Sequence, residues 1–177
     1  MSSDKHQRTV SSTIESLSIN SVQRQEELGY INYNPDKIPY ILTEIVKEAN
    51  LTYILTQYTA SIATSAIALE RTFFEVVSKK IGKKKAKKSN LFGLIELAFA
   101  YKIITQSLRD DAHKIREIRN NYIHANFDKI LRDINTDDEF DYGSFYIISS
   151  KDDALTAWEK IKNILEHIYH YNAEAFV

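Results

Sequence analysis

From Tyr40 onward, apolar residues recur every three or four positions, the spacing that gathers them on one side of an α-helix. The clearest stripe is Leu55, Tyr58, Ile62, Ala66, Leu69, Phe73 and Val76. It predicts helix across 40–81 with a break near Asn50. Gly82 is the natural stop, because glycine adopts the left-handed conformation of a helix end without steric cost. Ser89 or Asn90 can cap a following helix over Leu91–Ile104 by accepting a bond from a free backbone N–H. A further helix is expected from Ser107, with Asp110 and Asp111 in its first turn facing the positive end of the dipole, and it extends to about Leu131. The pattern then fails between Asn135 and Ser149, where Gly143 and the acidic Asp137, Asp138, Glu139 and Asp141 intervene. Phe145–Ile148 reads there as a short strand. Ser150 with Asp153 resembles a capping box, opening a last helix whose buried face is Ala154, Trp158, Ile161, Leu165 and Ile168.

Residues 1–34 read as a polar tail. Ser2, Ser3, Ser11, Ser12, Ser16, Ser18 and Ser21 dilute its apolar positions, although a helix over Val10–Leu28 is allowed. Pro35 and Pro39 then mark the start of a single helical domain over 35–177, since proline suits a first helical turn and not an interior. Four or five helices with short connections imply an all-α, up-and-down bundle.

Composition narrows the chemistry. The chain has 177 residues, enough for one self-sufficient core. It has no cysteine, which removes disulfides, thiolate metal sites and a cysteine nucleophile. Its 23 basic and 24 acidic residues nearly cancel, so any nucleic-acid contact must come from a local patch. The most apolar stretch, Leu91–Ile104, is interrupted by Glu96 and Lys102 and is too short for a bilayer. The N-terminus lacks the apolar core of a secretory signal. A cytoplasmic protein with no membrane partner is the expectation.

The segment most able to carry chemistry is His113–Phe127, HKIREIRNNYIHANF. With about 100° per residue, Ile115, Ile118, Tyr122 and Ala125 share one face. Arg116, Asn120 and His124 lie opposite, in line with His113. Arg119 falls between, about 140° from His124 on a straight helix. The usual fate of such a stripe is a solvated face. Its residue types also suit phosphate chemistry: imidazole titrates near neutrality, and guanidinium matches phosphate geometry.

Arg119-Asn120-Asn121-Tyr122-Ile123-His124 resembles the R-x(4–6)-H motif of HEPN domains, helical bundles that serve as nucleases and nucleotide-binding modules. The lead-in Ile115-Arg116-Glu117-Ile118 is similar to their motif helix, and the resemblance extends over roughly Tyr40–Asp133 and the last helix. It implies a metal-independent endoribonuclease that leaves 2′,3′-cyclic phosphate ends. His124 would be general acid/base, Arg119 would stabilise the phosphate, and Asn120 would orient either group. It also implies a homodimer, RNA as substrate or ligand, a toxin or defence role, and an antitoxin or nucleotidyltransferase partner. Asn126 departs from the Tyr often found two places after the His in the subgroup paired with nucleotidyltransferases. The alternative within the same resemblance is a non-catalytic module that binds nucleotide, RNA or protein.

Two further features bear on partners and ligands. Arg116 and the run Lys83, Lys84, Lys85, Lys87 and Lys88 are candidates to grip an RNA backbone, because each neutralised phosphate releases counterions. No aromatic residues are interleaved with those lysines for base stacking. His167 and His170 are three apart, but no HExxH arrangement accompanies them, and Asp137–Asp141 lacks the spacing of a calcium loop. No cofactor or metal is called for.

Overall fold

The computed structural model describes residues 20–29, 38–130 and 142–169. All its regular elements there are helical, with no strand among the described residues. A short helix α1 covers residues 20–28. It is followed by α2 (Tyr40–Ile54), α3 (Tyr58–Ile81), α4 (Lys83–Ala86), α5 (Leu91–Ala100), α6 (Gln106–Ile123), α7 (Phe127–Ile130) and α8 (Tyr142–Tyr169).

The longest contacts converge on α3, which touches α2, α4, α5, α6 and α8. Its stripe is the one the sequence announces: Tyr58, Ile62, Ala66, Leu69 and Phe73 are buried. Ser61, Ser65 and Thr72 are buried between them, and their small size lets neighbouring helices approach closely. Ser61 donates to the carbonyl of Ala49 on α2 at 2.8 Å, and Thr72 returns its hydroxyl to Ala68 of its own helix at 2.8 Å. Ala154, Trp158, Ile161 and Leu165 of α8 close the core from the other side.

Residues 20–28, within the stretch read as polar tail, pack on this core. Leu28 is buried and its carbonyl accepts from the Trp158 indole at 3.1 Å. Arg24 reaches the carbonyl of Ile54 at 2.6 Å, and Glu27 accepts from Tyr53 and Lys151 at 2.9 and 2.8 Å. Lys151 and Tyr53 together hold the Glu27 carboxyl below its ordinary range, against the opposing effect of burial.

Several helix ends differ from the sequence expectation, and three share one cause. The break after α2 lies at Leu55–Gln57 rather than near Asn50, α5 stops at Ala100 rather than Ile104, and α6 stops at Ile123 rather than Leu131. Each stop has a non-glycine residue in the left-handed region: Thr56 (φ 62°), Lys102 (φ 56°) and Ala125 (φ 48°). At each, the following N–H bonds back five residues: Gln57 to Thr52 at 2.8 Å, Ile103 to Ala98 at 2.9 Å, Asn126 to Asn121 at 2.8 Å. This is the Schellman pattern, which normally recruits glycine; without the glycine no sequence signal marks it.

The other ends were set by caps and packing. Thr105 caps α6, accepting from Leu108 N–H, so the helix begins at Gln106 and not Ser107. Asn90 caps α5, accepting from Gly93 N–H at 2.9 Å. Phe145–Ile148 is helical, not a strand, and Ser150 and Asp153 lie inside α8 rather than opening it. The buried Ser150 hydroxyl folds back onto the Ile147 carbonyl at 3.0 Å, the mid-helix habit of serine rather than a cap. The acidic Asp137–Asp141 lies outside the described residues.

Candidate functional site

The motif residues occupy the last turns of α6. Ile115 and Ile118 are fully buried and fix the helix's rotation, leaving Arg116, Arg119 and Asn120 half-buried and His124 exposed. Asn121, which the pattern did not single out, is buried. The helix is regular to Ile123, and His124 is its C-cap (φ −95°, ψ 7°). No hydrogen bond or ion pair joins Arg119 to His124. The Arg119 guanidinium instead donates to Asn120 Oδ1 at 3.1 Å. It thereby leans towards the flank that carries Asn120 and His124 without reaching the imidazole.

Arg119 also borders a small cavity of about 80 Å³ with Thr59, Ile62, Ala63, Tyr122 and Ile123. Thr59 and Ala63 are shared with a wider groove of about 550 Å³, continued by Thr56, Tyr58, Tyr146 and Ile147. The two cavities adjoin at these residues, where the start of α3 meets the end of α6 and the first part of α8. Polar contacts link the side chains around them. Tyr122 donates to Asp153 Oδ2 at 3.0 Å, the Tyr122 and Tyr146 rings meet edge to face at 6.0 Å, and Tyr146 and Thr59 share a hydroxyl contact of 3.0 Å. The strained Thr56 is on the same rim.

Higher on the polar flank of α6, a second cluster joins α5. Arg109 clamps Glu96 through two bonds of 2.8 Å, and His113 Nε2 meets the same carboxylate at 2.7 Å. Arg109, then His113, draw the Glu96 carboxyl down to about 2. His113 tilts against Phe92 at 5.2 Å, Arg116 lies over the same ring at 5.4 Å, and Arg109 lies over Phe99 at 4.9 Å. Arg116 is therefore engaged with an aromatic face, and its Nε is buried without a hydrogen-bond partner. The Glu96–Arg109 pairing was not anticipated, since the partners are 13 residues apart on different helices with no motif linking them.

The other candidates are not gathered here. Lys83, Lys84, Lys85, Lys87 and Lys88 are exposed around α4, about 30 Å along α3 from Ala63 at 1.5 Å per residue. His167 faces the Ile103 carbonyl at 3.2 Å, and His170 lies outside the described residues. Among the described residues no three His, Asp or Glu side chains assemble as a metal site, and no helix is long and apolar enough to cross a membrane. Comparison with protein-family models, curated proteins and solved structures gave no match.

Proposed function

We propose that the chain is a metal-independent endoribonuclease of the HEPN type whose reactive groups are completed by a second copy of itself. The observation that carries this reading is the end of α6. There, a half-buried arginine tied to Asn120 lines a small cavity next to a wider groove, and an exposed histidine follows at the helix end. Within one chain Arg119 lines the cavity and His124 does not, so in this reading a single copy supplies either the cation or the imidazole to a given phosphate. Exposed Ile123, in the Arg119 cavity, and Ile147, in the wider groove, are 53% and 58% accessible and offer the apolar contact that a second copy would cover.

In the reaction, His124 takes the proton of the 2′-hydroxyl. The 2′-oxygen attacks phosphorus, and the 5′-oxygen leaves with a proton returned by the imidazole or by the partner's imidazole. Arg119 stabilises the extra charge on the phosphoryl oxygens. The products are a 2′,3′-cyclic phosphate and a free 5′-hydroxyl. A toxin or defence role, with a protein that restrains the activity, belongs to the same reading.

Purified protein incubated with total RNA in EDTA tests it. Cleavage should persist in the chelator and fall about 10²–10⁴-fold in His124→Ala, with circular dichroism unchanged. Wild-type cutting by both His124→Ala and Arg119→Ala would remove these roles. That His124 is not in the lining of the Arg119 cavity favours one other reading, a non-catalytic module that binds RNA, nucleotide or protein through the same flank. Retained RNA binding without cyclic-phosphate ends at any protein concentration would select it.

A further inference from the structure

A second groove lies along the C-terminal half of α3, away from the cleft beside Arg119. It encloses about 450 Å³ between α2, α3 and the α4–α5 junction, within the range of about 300–1,000 Å³ typical of ligand clefts. Its walls are mainly apolar: Ile41, Ile45, Ile67, Phe74 and Leu94. Ile41 and Ile67 of this lining remain 50% and 54% accessible.

The segment that brings Ala86 and Lys87 into the lining is strongly cationic. Lys79, Lys80, Lys83, Lys84, Lys85, Lys87 and Lys88 are all exposed, and the stretch from 79 to 88 contains no acidic residue. None of these seven lysines joins an ion pair among the described residues. Lys87 lines the groove itself. So does Arg71, which pairs with Glu75 and lies over Phe74 at 5.8 Å, leaving its Nε buried and unpartnered. Glu70 is the one carboxylate in the lining.

We infer that this groove receives an acidic amphipathic helix from a partner protein, with apolar side chains seated between α2 and α3 and carboxylates facing Lys87 and the exposed lysines around α4. Two features must be satisfied together, and other polyanions satisfy only one. An RNA backbone would neutralise the lysines but leave Ile41 and Ile67 in water. A bilayer would attract the lysines, but a flat surface cannot enter a concave site. A helix with apolar residues at i, i+3, i+4 and i+7 fills the groove and presents its charged flank to these lysines. The long unpaired lysines would speed encounter and make it salt-sensitive. The inference does not depend on the ribonuclease reading, whose residues lie at the other end of α3.

The test is fluorescence anisotropy with the full chain and a labelled peptide of about 18 residues, Leu at those anchor positions and Glu elsewhere. The same peptide with its sequence scrambled, a single-stranded RNA oligonucleotide and phosphatidylserine vesicles serve as the other probes. The amphipathic peptide should bind at least about tenfold more tightly than the scrambled one. Ile67→Lys, at an exposed helical position, and the combined Lys84→Glu and Lys87→Glu change should each weaken it about tenfold or more, with circular dichroism unchanged. Equal binding of the scrambled peptide reduces the surface to bare charge and overturns the proposal. So does absence of peptide binding. An RNA or vesicle signal abolished by Ile67→Lys assigns the groove to that class instead and overturns it as well.

Discussion

At the scale of single residues, left-handed backbone strain is concentrated just past helix ends. Thr56, Lys102 and Ala125 hold left-handed backbone without glycine, at about 1–2 kcal/mol each. Lys102 is exposed and outside the candidate site. Lys102→Gly relieves that strain and gives back part of the gain as chain entropy. It should stabilise the protein by up to about 1 kcal/mol, about 2–4 °C in melting temperature for a chain of this size. A lower melting temperature would count against the strain. Glu96 makes a second prediction. Its carboxyl is held near 2 by Arg109 first and His113 second, so the unfolded chain binds a proton there at a higher pH than the folded one does. Stability from this clamp is fully present above about pH 4.3 and is lost as pH falls towards 2. Urea unfolding of Glu96→Gln should therefore show a shallower loss between pH 5 and 3 than wild type.

At the scale of elements, α1 ties the N-terminal part of the described chain to α2 and α8. The Trp158–Leu28 bond spans 130 residues, and the Glu27 carboxylate bridges Tyr53 to Lys151. Burial, followed by the Glu27 bond, raises the Tyr53 phenol above its ordinary range. Leu28 is 3% accessible, and Leu28→Ala should cost about 2–3 kcal/mol through the lost contacts and the cavity left behind. Denaturant unfolding measures it; a cost near zero would mean that α1 is only loosely seated.

At the scale of the whole molecule, the separation of Arg119 from His124 has a consequence that one experiment isolates. Suppose each reactive site takes its arginine from one copy and its histidine from the other. Equal amounts of inactive Arg119→Ala and inactive His124→Ala, mixed and allowed to exchange, then form hybrids with one intact site. Random pairing makes about half the dimers hybrids, so activity should return to about a quarter of wild type. If both groups act from the same copy, the mixture stays inactive.

The all-helical character and most of the core were legible in the chain itself. The α3 stripe from Tyr58 to Phe73, the α8 stripe from Ala154 to Leu165 and the Asn90 cap follow from spacing and local hydrogen bonding, which depend on neighbours a few positions away. The helix ends at Thr56, Lys102 and Ala125 were not legible, because packing over the whole domain holds those residues in a conformation they do not favour alone. The same holds for Leu55, which fits the apolar stripe yet is 54% accessible because it sits at the break. The sequence by itself also placed a guanidinium and an imidazole five residues apart on one helix. Only the tertiary structure decided that Arg119 lines a cavity with Thr59 and Ala63 of α3, that Glu96 gathers Arg109 and His113, and that Lys87 borders a separate groove. Those relations join helices remote in sequence, and their geometry is set by how the cores of those helices pack.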